Sequence, residues 1–323
     1  MANNKFGGDF VIENSKITEL SAQKKSFAGT DSVQIPFSVG VGPGHRSRGI
    51  PYFCTTSNPT SVFPTSKQSR SVTPPIVYYT FEAKVGSSIL NVATDGDTNL
   101  IALLENDADI NTGQKVRGSK SLLVSTDATN DYLNLDNLIS TVQDMATGSI
   151  TFWVYQTSDG TRMYYHASDH SDSGASEIEF YSSKADNNIR YIVKEGVGEV
   201  TVLDLSFLDV DGMDLNEWNH LAMTTGAGGT KLYLNGELKA SSTTRAFFSD
   251  VSDISRIRIG ADDAENDDYQ GYIDEFAIWD VELNSTIIEA MGSDKDNAPD
   301  LNTVCGLVRP EYQLRNGTEL KID

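Results

Sequence analysis

The stretch that decides the fold is "LNEWNHLAMTTGAGGTKLYLNGELKAS", residues 215–241. His220 to Thr225 form a short apolar-rich run, and Gly226-Ala227-Gly228-Gly229 supplies residues that tolerate the positive φ of a turn. Beyond it, Leu232 and Leu234 alternate with Lys231 and Tyr233, the period-2 signature of a half-buried strand. Asn235-Gly236 is the strongest two-residue hairpin signal, because both residues accept the backbone of a type I′ turn. The stretch therefore predicts consecutive antiparallel hairpins.

Working outward, strand-like segments recur from Ile76 onward: "IVYYTFEA" (76–83), "KSLLVS" (120–125), "SITFWVYQT" (149–157), "TRMYYHAS" (161–168), "SEIEFYSS" (176–183), "NIRYIVKEG" (188–196), "EVTVLDLS" (199–206), "SRIRIGAD" (255–262) and "YQGYIDEFAIWDVEL" (269–283). About a dozen closely spaced strands with almost no helix predict an all-β, two-sheet antiparallel sandwich. Apolar residues between Leu135 and Met145 suggest a helical turn or two with Asp136 as cap, and Ser285 is a candidate cap for a short closing helix through Met291.

The 323 residues are 38% hydrophobic and include 13 Phe, 13 Tyr and 3 Trp, enough for a real core. The net charge of −21 excludes a general nucleic-acid binder, which gains affinity by releasing counterions from a polyanion. No apolar run approaches the ~20 residues of a membrane-spanning helix, and the first residues lack the basic start and apolar core of a secretory signal. Cys54 and Cys305 are far apart in the chain; two reduced thiols are expected, with pairing left open.

Charge and proline divide the chain. Residues 1–75 hold eight Lys and Arg against four Asp and Glu, while the remainder holds 17 against 42. Seven of nine prolines lie at or before Pro75, and none falls between 76 and 298. Proline interrupts ladder hydrogen bonds, so continuous sheet is expected to begin near residue 76. Residues 55–75, rich in Ser, Thr and Pro, read as an extended linker. Three parts follow: an irregular N-terminal arm and linker (1–75), a sandwich (76–292) and a C-terminal extension (293–323). In the arm, His45, Arg46 and Arg48 stand among glycines and prolines, either as a solvated loop or as a segment that docks on an acidic surface.

The ordered set "GSKSLLV" (118–124), "SITFWVY" (149–155), "WNHLAMTTGAGGTKLYLNGEL" (218–238), "IRIGAD" (257–262) and "GYIDEFAIWDVELNSTIIEAM" (271–291) resembles the concanavalin A-like jelly roll of the laminin-G-like, pentraxin-like type. The resemblance covers roughly residues 76–292. It implies two curved antiparallel sheets, Trp153, Trp218 and Trp279 filling or flanking the core, and binding more often than catalysis. It also implies one structural calcium ion held by Glu82 and Asp274, the other reading of Asp274 being a hydrogen bond to a neighbouring loop.

Glucanases of this fold carry several carboxylates on alternate residues of one strand, whereas "EIEF" offers only Glu177 and Glu179, and Asp274 and Glu275 are expected on opposite faces. No catalytic residue is assigned. Tyr164, Tyr165, His166 and Tyr181 are the glycan-binding candidates, able to stack on a sugar ring or hydrogen-bond to it, although alternation turns half of them inward. Laminin-G-like modules also occur in tailed-phage virions. The functional expectation is thus a non-enzymatic virion protein, a head decoration, fibre or tail appendage. It would be anchored by its arm to capsid or tail proteins, homo-oligomeric in the assembly, and display a domain toward host cell-surface glycans. The alternative is a carbohydrate-binding or glycan-hydrolysing bacterial protein.

Overall fold

The computed structural model describes residues 74–303, apart from residue 95 and the loops 125–130, 171–175, 197–199, 209–212 and 264–267, together with five short strands outside that span. The chain divides into two units, Met1–Pro59 and Thr60–Asp323. Within the first, β1 (Asn4–Phe6), β2 (Phe10–Glu13) and β3 (Lys16–Ile17) form an antiparallel meander. His45, Arg46, Arg48, Cys54 and Cys305 lie outside the described residues.

The second unit is built on two antiparallel sheets. Its strands are β4 (Val77–Tyr79), β5 (Lys84–Val85), β6 (Ser88–Ile89), β7 (Ala102–Glu105), β8 (Asp109–Asn111), β9 (Ser121–Val124) and β10 (Tyr132–Asn134). There follow β11 (Gly148–Gln156), β12 (Arg162–Ser168), β13 (Glu177–Ser183), β14 (Asn188–Glu195), β15 (Val200–Leu208) and β16 (Trp218–Gly226). The last are β17 (Gly229–Leu234), β18 (Glu237–Ser242), β19 (Arg256–Ile259), β20 (Gly271–Trp279), and a terminal pair, β21 (Tyr312–Gln313) and β22 (Glu319–Leu320). One sheet has nine strands in the order β15-β14-β13-β12-β19-β10-β7-β6-β5. The other has eight, in the order β18-β17-β16-β11-β20-β9-β8 with β4 also on β20.

Local signals account for the consecutive hairpins. Asn235 and Gly236 take φ of 51° and 82°, as the type I′ reading requires, and Gly229 takes 88° in the turn before it. The core between the sheets is filled by the inward half of each alternation, including Phe152, Phe180, Leu203, Leu205 and Phe276. Returns from later in the chain close the sandwich: β19 inserts between β12 and β10, and β20 between β11 and β9.

Bulges change which side chains share a face. In β12 the register slips between Met163 and Tyr165, and the extra residue turns both Tyr164 and Tyr165 into the core. In β20, Asp274 pairs with Trp153 and Ala277 with Thr151, leaving Glu275 and Phe276 opposite Phe152. Glu275 adopts φ 52° there. The expectation that Asp274 and Glu275 face opposite ways is therefore corrected, since the inserted residue brings both carboxylates to the outer side of the eight-stranded sheet.

That outer side carries a second apolar layer in which Tyr78, Tyr233 and Trp279 pack against α2 (Ser285–Gly292) and Leu301. The sequence boundary at 292 thus cuts through a packed layer. Trp153 and Trp279 are buried on this side of the sheet and flank the core instead of filling it. The cap of α2 is Asn284, whose side chain accepts from the Ile287 amide, and not Ser285. Asp136 caps nothing; the 3-10 turn Asp136–Leu138 leads into α1 (Ile139–Val142), and the Asp136 carboxylate accepts the Ile257 amide of β19.

Candidate functional site

The outer face of the nine-stranded sheet gathers chemistry that the chain keeps apart. Pairing sets His166 of β12 beside Glu179 of β13, and Glu177 of β13 beside Lys194 of β14. His166 Nε2 lies 3.2 Å from Glu177 Oε2, and Lys194 Nζ bonds to Glu177 and reaches Glu179 Oε2 at 3.1 Å. The four side chains are 3–20% exposed. One ligand atom from each of His166, Glu177 and Glu179 falls within 4.8 Å of the others, and the Lys194 ammonium already supplies the positive charge between them.

The environment splits the two carboxylates. Burial opposes the charge of Glu177, but hydrogen bonds from His166 and Lys194 outweigh it and hold the group below the usual range. Burial and then the charge of Glu177 push Glu179 up, only partly offset by Lys194. Burial disfavours the charge of Lys194 too, yet its two carboxylate partners raise it. His166 Nδ1 is buried without a hydrogen-bond partner. One row away, Arg190 bonds to Asp186 at 3.0 Å and Asp204 at 2.7 Å, with its guanidinium 5.8 Å from the Tyr181 ring centre. On the far side Arg258 sits 4.4 Å over Tyr132.

Of the four predicted glycan contacts, His166 and Tyr181 reach this face. Tyr164 and Tyr165 are 1% and 0% exposed in the core, so direct sugar contact through them is corrected by the β12 bulge. Lys194 and Arg190 were missed. Their signal was the alternation of "NIRYIVKEG", which places Arg190, Ile192 and Lys194 together opposite the core residues Ile189, Tyr191 and Val193.

Glu82 and Asp274 meet at the loop 116–120. Burial raises the Glu82 carboxyl, but the bonds it accepts from the Ser119 amide and hydroxyl and the Lys120 amide together outweigh this and hold the group low. Asp274 accepts from the amides of Val116, Arg117 and Glu275. Burial, with a contribution from the charge of Glu82, nevertheless pushes Asp274 up to about 7. Burial and the neighbouring Asp274 push Glu275 up to about 8, although Tyr78 and Arg117 bind it. The donor set is oxygen-only, which suits a hard cation in ligand type, while the amides of the loop 116–120 already bond to both carboxylates, the hydrogen-bonded arrangement that is the other reading of Asp274.

Residues 127–289, half of the chain, match the Laminin_G_3 family, described as the concanavalin A-like lectin/glucanases superfamily. A comparison with curated sequences finds no match. Among solved structures, the receptor binding domain of botulinum neurotoxin C/D mosaic serotype is 19% identical with a TM-score of 0.46, covering 67% of this chain and 50% of that one. The Ruminococcus gnavus IT-sialidase CBM40 bound to α2,3-sialyllactose is 16% identical with a TM-score of 0.47, covering 53% of this chain and 96% of that one. The botulinum neurotoxin type G receptor binding domain is 17% identical with a TM-score of 0.47, covering 67% and 50%. The chain spans about half the length of the toxin domains it matches. With two antiparallel sheets closed into a sandwich and the family match over its strands, the chain belongs to the concanavalin A-like lectin/glucanases superfamily.

Proposed function

We propose that the protein is a non-enzymatic glycan-binding module whose recognition face is the outer surface of the nine-stranded sheet. The observation that carries this reading is the network His166–Glu177–Lys194–Glu179 with Tyr181 and Arg190 beside it. These polar groups are held by one another while remaining partly open to solvent, so little ordering cost is left for a ligand to meet. Vicinal sugar hydroxyls, each a donor and an acceptor, match alternating ammonium and carboxylate groups, and the Tyr181 ring offers an apolar edge. A glycan array probed with the intact chain, Lys194→Met and Tyr181→Ala tests it. Binding by the parent that both variants lose supports the reading; binding that neither variant changes moves the site elsewhere.

The same proposal extends to the setting: a tailed-phage virion protein anchored through residues 1–75 to capsid or tail proteins, with the acidic sandwich turned outward toward host glycans. The opposite charge balance of the two parts and the Pro-rich linker support that arrangement. Deleting residues 1–75 is expected to abolish incorporation into particles, and normal incorporation of the truncated chain would defeat it. A calcium ion at Glu82 and Asp274 would cross-brace β20 and the segment that follows β4. A rise in melting temperature with calcium, absent in Asp274→Asn, is the expected result.

A second reading, glycan hydrolysis, draws on the opposed shifts of Glu177 and Glu179, the pattern of a base and an acid at one site. Lys194 bonded to both favours a clamped ion network over a free nucleophile. Release of reducing sugar by the parent chain and its loss in Glu177→Gln and Glu179→Gln would establish that reading.

A further inference from the structure

A sheet that ends in the open offers the backbone of its last strand to any strand that fits, and monomeric proteins blunt such edges by shortness, charge or a bulge. Of the four strands that end the two sandwich sheets, three are blunted in this way among the described residues. β5 has two residues and β8 three, and the ion pair Lys84–Asp109 ties them to each other. β18 carries the pair Glu237–Lys239 at 3.0 Å and a register slip against β17. β15 is the exception. It runs for nine residues as "VTVLDLSFL", without lysine, arginine or proline, and its pairing with β14 is regular from Leu203 to Leu208. Asp204, its one charge, is met by Arg190 of β14 at 2.7 Å. Among the described residues, the only backbone hydrogen bonds to β15 come from β14. Val200 and Leu208, at its two ends, are 64% and 54% exposed.

We infer that β15 is the pairing edge of a two-fold dimer, its partner strand being β15 of a second copy of the chain. The strand is complementary to itself in the antiparallel register centred on Leu205. That register sets Leu205 against the partner's Leu205, Leu203 against the partner's Phe207 and Asp204 against the partner's Ser206. Apolar side chains then meet on the core side, and each carboxylate faces a hydroxyl. Centring on Asp204 would oppose two carboxylates, and centring on Ser206 would set Asp204 against Leu208. The net charge of −21 repels two copies at long range, but Arg190 behind Asp204 leaves the strand itself locally neutral. A two-fold contact uses the same edge on both copies, so the assembly closes at two instead of growing into a fibre. With the axis perpendicular to the sheet, the two nine-stranded sheets join into one and both His166–Glu177–Lys194 faces open to the same side. If those faces bind glycans as proposed above, the dimer presents two sites to one surface.

Sedimentation of the intact chain over a dilution series tests the edge, with Ser206→Asp and Ser206→Lys as paired variants. Ser206 is exposed, and unchanged melting curves are the folding control. In its own chain the residue stands opposite Arg190, so only the dimer brings it to a carboxylate, Asp204 of the other copy. Ser206→Asp creates two like-charge pairs across the axis and is expected to weaken the dimer about three- to thirtyfold, while Ser206→Lys is expected to hold or tighten it. Hydrogen exchange of residues 200–208 is expected to slow about tenfold from dilute to concentrated protein. Added salt is expected to tighten the dimer by screening the net charge. A chain that stays monomeric at ~100 µM overturns the pairing. So does a dimer that both variants leave unchanged or both dissolve, one with unaltered exchange in β15, or one that salt takes apart. None of these readouts uses a glycan, so the glycan site is decided separately by the array.

Discussion

His220 offers a stability experiment whose size follows from its surroundings. Its ring is buried under α2, 5.1 Å from the Trp153 ring, with Nδ1 lacking any hydrogen-bond partner. Burial alone lowers its pKa to about 3. In the unfolded chain a histidine titrates near ~6.5. A base whose folded pKa is depressed contributes stability that is fully present above the unfolded value and is lost as pH falls, because only the unfolded chain can take up the proton. The loss accrues at about 1.4 kcal/mol per pH unit below ~6.5. At pH 4.5 the folded ring is still neutral, so the magnitude is set by the unfolded pKa: about 2–3 kcal/mol relative to pH 7. The assay is urea unfolding of the parent and His220→Gln at both pH values. Carboxylates that titrate in this window, Asp274 and Glu275 among them, affect both proteins and cancel in the difference. The parent is expected to lose about 2–3 kcal/mol more than the variant. Parallel losses would refute the claim that His220 is held neutral by burial.

Other substitutions test the packing and the site. Gly292→Ala would place a Cβ 2.3 Å from His220 Nδ1 and 2.8 Å from the Gly236 amide; α2 must then shift, at a cost of about 1–3 kcal/mol by thermal melting. Asn284→Ala is expected to cost about 1 kcal/mol while Ser285→Ala costs little, since the cap bond comes from Asn284; the reverse order would restore the cap expected from sequence. Lys194→Met leaves Glu177 and Glu179 facing each other without their cation. At 13–20% exposure the expected loss is about 1–3 kcal/mol, below that of a fully buried pair. Adding Glu177→Gln and Glu179→Gln should return most of it, and a triple variant no more stable than Lys194→Met would contradict the ion network.

What the sequence determined by itself is what lies within a few residues of itself. The Asn235-Gly236 turn, the alternation of β13 to β15 and the all-β class are set by dihedral preference and by a period of two, both carried locally. The shared face of Glu177, Glu179 and Tyr181 was legible for the same reason. The division of the chain by charge and proline is likewise a property of composition.

Only the tertiary structure decided which strands became neighbours and where the alternation breaks. Pairing β19 with β12 brings residues about ninety apart in the chain into register, and β20 enters beside β11 across a still longer separation. Such pairings are selected by the burial they complete, not by any local preference. The bulges follow from the same fitting. One extra residue at Tyr164 sends two tyrosines into the core, and one at Glu275 turns two carboxylates the same way. A single inserted residue inverts every side chain after it, and nothing in "MYYH" or "IDEF" states whether the partner strand will absorb it. The approach of Lys194 to Glu177 and the contacts of Tyr155 with Tyr272 and Trp218 arise for the same reason: they are contacts between strands, and strand register is a property of the packed sandwich.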